Sequence, residues 1–237
     1  MNPMFSGDVL WNLLLMFLCY GYVVLIIAIS SKLTDLLGAS QRTSRKFLHA
    51  MIGNLVFVIP FFTSNIYPAL VAAPFILLTF LASPYTPLKN SKLLGLANIT
   101  EEGHPLGLVF YAISYTALVL LFASRPSVVA AGMLPMAYGD SAASLVGEKY
   151  GKRRYRFIPK KSVEGTIAML FGSLASLAIG LGFFSTLHSL PVVQTMAAVI
   201  VVVIVVSLVE IISPKGFDNL TVPIMGALTF WFLSGGS

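Results

Sequence analysis

Apolar positions in this chain fall into long runs separated by short polar intervals. Eight runs stand out, over residues 9–31, 47–63, 66–82, 106–123, 128–147, 164–184, 195–212 and 220–236. A hydrocarbon core about 30 Å thick takes ~20 largely apolar residues of helix. The pattern therefore predicts an all-α, polytopic integral membrane protein with about eight transmembrane helices. The second and third runs are short for a full crossing and fit as tilted or partly re-entrant segments. No cationic stretch precedes the first run and no small-residue cleavage signal follows it, so it reads as a retained helix rather than a signal peptide. Without repeats, low-complexity tails or long linkers, residues 1–237 are expected to form a single integral membrane domain.

Composition agrees with the pattern. Of the residues, 57% are hydrophobic and only 10% charged, against roughly 25% charged in a soluble domain, which excludes an ordinary soluble fold. The placement of the charges adds an orientation. Every Lys and Arg except Arg125 falls in the intervals after runs one, three, five and seven. Cations in short loops mark the cytoplasmic side, so the split predicts eight crossings with both termini outside. The carboxylates Glu101, Glu102, Glu148, Glu164 and Asp218 gather on the same cytoplasmic face, and any active site is expected there. Part of the net charge of +6 is accounted for by this topology and by attraction to anionic membrane lipids. The basic loop is short and tied at both ends to helices, which argues against nucleic acid as a partner. The single Cys19 excludes an internal disulfide and a multi-cysteine metal site. Self-association into a homo-oligomer is compatible with the sequence.

The chemistry concentrates in GDSAASLVGEKYGKRRYRFIPKKSVEGT, residues 139–166. On a helix Asp140, Ala143, Ser144, Gly147 and Gly151 share one face of small side chains. For Ala143 and Gly147 alone this is what tight helix packing requires. Asp140 is different, because a carboxylate within a membrane helix costs about 2.5–3.5 kcal/mol on insertion scales and needs a cation, a metal or a polar cavity. Lys160, Lys161 and Ser162 precede the next helix, with Glu164 in its first turn. Ser162 is then an N-cap and Glu164 a complement to the helix dipole, or the free N–H groups and the two lysines form a phosphate site. In the second reading Asp140 and Glu164 hold a divalent cation while the lysines neutralise phosphate oxygens. No Walker motif is present.

This stretch resembles the nucleotide-binding signature of CTP-using membrane enzymes. One group comprises the lipid-alcohol kinases (dolichol kinase, phytol kinase and CTP-dependent diacylglycerol kinase). The other is phosphatidate cytidylyltransferase, which makes a CDP-lipid. Two flanking segments favour the kinases. SRKFLHAMIG, with Arg45, Lys46 and His49, resembles their Arg-Lys-x-x-His element, and EIISPKGFDNLTVP, with Glu210, Gly216, Asp218 and Asn219, also resembles that group. The glycine- and histidine-rich closing signature of the cytidylyltransferases has no counterpart. Resemblance spans most of residues 42–223.

The resemblance implies CTP-dependent phosphorylation, at the cytoplasmic face, of a membrane isoprenoid alcohol such as a polyprenol, dolichol, phytol or geranylgeraniol. The expected nucleotide site comprises Gly147, Gly151, Arg153, Lys160, Lys161, Ser162, Glu164 and Gly165, with Mg²⁺ on Asp140, Glu164 and Asp218. The same three acids are the catalytic candidates, Asp140 foremost as the base. Glu102, in NITEEGHPLG, is a candidate on the acceptor side. The alternatives are a cytidylyltransferase, a diacylglycerol kinase and a transporter; the last fits poorly, because the ionisable groups gather at one face rather than forming a relay across the bilayer. A membrane of a prokaryotic cell is the expected location.

Overall fold

The computed structural model describes residues 3–37, 40–86, 106–158, 161–214 and 216–235. Its described residues form helices α1 (Pro3–Leu37), α2 (Gln41–Gly53), α3 (Ile66–Leu81), α4 (Gly107–Phe122), α5 (Pro126–Leu134), α6 (Asp140–Tyr150), α7 (Val163–Leu187), α8 (Val192–Ile212) and α9 (Asp218–Leu233). Among the described residues each of the eight apolar runs is largely helical. Three helices are long and apolar enough to cross a membrane, over Asp8–Leu33, Val163–Leu187 and Val192–Ile212, while α3 and α4 are shorter apolar helices.

Two runs are broken where the sequence pattern alone predicts one helix. The run at 47–63 is α2 followed by a 3₁₀ segment, Asn54–Phe61, that contains Pro60. A proline lacks the N–H that an α-helical ladder needs, and its ring crowds the preceding turn. The run at 128–147 is α5, a π-helical turn at Pro135–Gly139, and then α6. Within that turn the Asp140 N–H donates to the Pro135 carbonyl, five residues back. The Ser141 hydroxyl lies 2.6 Å from the Ala137 carbonyl and 3.1 Å from the Lys46 carbonyl. The wide turn therefore begins α6 at Asp140 and ties it to α2.

The exterior and interior of the bundle are both apolar, as expected of a protein whose outer solvent is lipid. Along α1, Leu15, Cys19, Val23, Ile26 and Ile27 are buried, while Leu10, Phe17, Leu18 and Leu25 face outward. On α7 the inward face carries Met169, Ser173, Leu177 and Phe184, and the outward face Phe171, Leu174 and Ile179. Glycines set the closest helix crossings. A Cβ at Gly165 of α7 would stand 2.9 Å from the Ala143 carbonyl oxygen and 3.4 Å from the Gly147 Cα, both on α6. At Gly226 of α9 it would stand 2.7 Å from the Ala131 carbonyl oxygen and 3.2 Å from the Gly132 Cα of α5. Close approach through glycine is the usual way that membrane helices gain packing contacts without a hydrophobic driving force between them. With α6 on α7, and α9 on α8, α5 and α4, the beginnings of α2, α4, α6, α7 and α9 and the end of α8 meet at one end of the bundle.

Candidate active site

A cleft of about 790 Å³ opens at that end. Five chain-distant segments supply its central charges. Asp140 opens α6, Lys46 lies on α2, Lys161 precedes α7, Glu210 is in the last turn of α8 and Asp218 opens α9. Lys46 donates to Asp140, and both are buried. Lys161 donates to Glu210, and its ammonium is 3.6 Å from the Asp218 carboxylate. One oxygen each of Asp140, Glu210 and Asp218 lies within 4.8 Å of the others. Two lysines thus face three acids, a compact arrangement in which every charge has an opposite neighbour, as burial demands. Burial alone would lower the pKa of the Lys161 ammonium, but the carboxylates of Glu210, Asp140 and Asp218 outweigh it and hold the pKa above the ordinary lysine value. Lys161 is therefore a cation throughout the physiological range.

Second to these charges is a polar wall. The Arg42 Nε donates to the Ser144 hydroxyl at 2.8 Å and lies 3.7 Å from the Glu148 carboxylate. His49 is buried beside Tyr111, with ring centroids 4.9 Å apart, and the Tyr111 hydroxyl donates to the His49 carbonyl at 3.2 Å. Arg45 is buried on the same helix and lines the cleft. Asn219 follows Asp218 and is also buried, and among the described residues its side-chain oxygen has no hydrogen-bond partner. A buried amide oxygen left in that state costs about 1–3 kcal/mol. It lines the same cleft, so a cation there would satisfy it.

The structure distributes the sequence candidates unevenly. Asp140, Asp218, Lys161, Lys46, Arg45, His49, Asn219, Gly147, Ser162 and Gly165 all line the cleft. Ser162 caps α7 by accepting from the Gly165 N–H at 3.1 Å, so its hydroxyl already has a structural partner. Gly147 and Gly151 make room for that cap, since a Cβ at either would stand 3.1 Å or 2.8 Å from the Ser162 hydroxyl. Glu164 is not part of the acid group. Its two carboxylate oxygens accept from the Arg153 N–H, each at 3.3 Å, and so tie the start of α7 to the basic loop. The position expected of Glu164 beside Asp140 and Asp218 is filled by Glu210. Arg153 itself is exposed, and its backbone N–H holds Glu164 to that loop. Lys160 and Glu102 lie outside the described residues.

Glu210 as an acid of the central cluster was missed from the spacing argument, although the signal was available. It is an acid inside an apolar run, as Asp140 is, and the cost of burying it asks for the same explanation. Arg42 and Ser144 carry no such signal, because their pairing joins residues 102 apart in sequence.

Fold and cleft together define a helical membrane protein with an enclosed group of acids and lysines at one end of its bundle. Comparison with curated proteins makes this more specific. A protein of Synechocystis sp. named "Phytol kinase" is 40% identical over 131 residues, or 54% of either chain. The Arabidopsis thaliana "Phytol kinase 1, chloroplastic" is 29% identical over 209 residues, covering 82% of this chain and 67% of that one. A Triticum aestivum "Probable phytol kinase, chloroplastic" is 28% identical over 222 residues. The chain is thus similar, over most of its length, to plant and cyanobacterial proteins named as phytol kinases. The match spans about half the length of the cyanobacterial relative. No family model and no solved structure matches the chain.

Proposed function

We propose that the chain is a CTP-dependent kinase that transfers the terminal phosphoryl group to the hydroxyl of a membrane prenyl alcohol, of the phytol, geranylgeraniol or polyprenol class. The observation that carries this reading is the meeting of two lysines and three acids in one cleft at the end of a membrane bundle. Relatives named phytol kinase supply the acceptor class, and the choice of CTP follows from the resemblance of residues 139–166. Phosphoryl transfer asks little covalent work of a protein; it needs neutralised phosphate oxygens and a hydroxyl held in line.

The parts divide as follows. Lys161, at the capped start of α7, and Lys46 neutralise phosphate oxygens. Asp140, Glu210 and Asp218, with the Asn219 amide oxygen, form a hard oxygen set of the kind that suits Mg²⁺, and that ion would supply charge neutralisation at the phosphates. Asp140 accepts the proton of the attacking hydroxyl. The bond from that oxygen to the terminal phosphorus forms as the phosphoanhydride bond breaks, and CDP departs. Eight crossings, both termini outside and a cleft facing the cytoplasm complete the reading, with the prenyl chain remaining in the bilayer.

The test is an incubation of the purified protein in detergent with Mg²⁺, a panel of prenyl alcohols, diacylglycerol and phosphatidate. The CTP carries label either in its terminal phosphate or in its cytosine, and terminally labelled ATP runs in parallel. Terminal phosphate entering a prenyl alcohol from CTP is the expected result. Cytosine label in phosphatidate would make the protein a cytidylyltransferase, and transfer from ATP alone would overturn the donor. Asp140→Asn is expected to lower turnover at least about a hundred-fold in a protein that remains folded.

A further inference from the structure

The loop between α6 and α7 carries a feature that phosphate chemistry does not use. Phe157 is 94% exposed, more than any other large apolar side chain described, and it borders the cleft beside Arg154 and Ile158. Its surroundings are not loose. Arg154 and Ser162 form an antiparallel bridge, the Tyr155 N–H donates to the Lys161 carbonyl at 3.2 Å, and the Val163 N–H donates to the Arg153 carbonyl at 2.9 Å. The Lys161 N–H turns back to the Ile158 carbonyl at 3.0 Å, and the Tyr155 hydroxyl donates to Thr166 at 3.1 Å. The described base of the loop is thus fixed to α7, while its phenyl ring stands 94% exposed among the described residues.

We propose that Phe157 is the stacking platform for the base of the nucleotide donor; the assignment rests on the nucleotide reading of the cleft. The ring is held by the same short hairpin that ends in Lys161, so a triphosphate on Lys161 and a base on Phe157 are served by one pre-organised element. An aromatic face stacks on any nucleobase, so Phe157 contributes affinity, and the choice among bases is made elsewhere. Arg154, exposed on the same loop and lining the same cleft, adds a cation beside the ring where the nucleotide would lie.

Binding without acceptor alcohol separates the two layers of the argument. Mg²⁺ with CTP, and Mg²⁺ with inorganic tripolyphosphate, are titrated against the whole protein, Phe157→Ala and Phe157→Trp. The expected result is an affinity for CTP about ten-fold or more weaker in Phe157→Ala, with tripolyphosphate affinity unchanged and Phe157→Trp close to the parent for both ligands. Equal CTP affinity in Phe157→Ala overturns the stacking role while leaving the phosphate site standing. Equal loss of both ligands overturns it too, as a structural effect of the loop. If the parent protein binds neither CTP nor tripolyphosphate, the nucleotide site and the stacking role fall together.

Discussion

Glu164 and Glu210 are both carboxylates at the edge of an apolar helix, yet the fold gives them opposite surroundings. Glu164 turns back onto the Arg153 N–H, whereas Glu210 is buried with Asp140, Asp218 and Lys161. Their substitutions are accordingly expected to separate. Glu210→Gln leaves Lys161 short of its closest partner and removes one anionic oxygen from the cluster, and phosphoryl-transfer assays should show a loss of about a hundred-fold or more. Glu164→Gln keeps an oxygen for the Arg153 N–H and should cost less than about ten-fold; a reversed order would remove Glu210 from the site. Sequence reasoning finds Asp140 because an acid in a membrane run is conspicuous. It misplaces Glu164 because a first-turn acid looks the same from sequence whether it faces a ligand or its own loop.

Helix pairing carries the next level. Gly165 on α7 lies against the α6 backbone, and a Cβ there would meet the Ala143 carbonyl, which is main chain and yields only if the helices part. Gly165→Leu is therefore expected to lower thermal stability by about 1–3 kcal/mol and to reduce turnover by separating Ser162 from Gly147. Gly182→Leu on the same helix is the control, since nothing lies within 4 Å of a Cβ at that position; thermal melting of the two variants should differ clearly. The eight helical runs are legible from hydropathy alone. The 3₁₀ segment at Asn54–Phe61 and the π turn at Pro135–Gly139 are not. Prolines lie in both, but whether a proline bends, breaks or widens a helix depends on the side chains that settle the carbonyls around it. Here Tyr115 donates to the Leu55 carbonyl at 3.3 Å and Ser141 to the Ala137 carbonyl, contacts that no local pattern announces.

At the level of the whole molecule, the orientation proposed from the cations can be checked directly. His188 lies exposed just beyond the C-terminus of α7, at the end remote from Ser162, whereas Arg156 is exposed on the loop beside the cleft. Cys19 is buried, so the native thiol gives a silent background. In intact cells a membrane-impermeant maleimide is expected to label His188→Cys, and to label Arg156→Cys only after permeabilisation. Labelling in the opposite sense would invert the topology and move the site to the other face. Hydropathy makes the helical runs readable and cation asymmetry proposes their orientation, while the meeting of Lys46 with Asp140 and of Lys161 with Glu210 depends on chain segments 94 and 49 residues apart.

The crossing of α5 and α9 bears on this meeting from a distance. Gly132 and Gly226 let the two main chains touch deep in the apolar middle, and these helices lead respectively to Asp140, through the π turn, and away from Asp218. The two acids are thus the tips of a pair of tongs whose pivot is backbone against backbone. A bulkier residue at Gly226 would act as a shim at the pivot, widening the jaws without touching either tip.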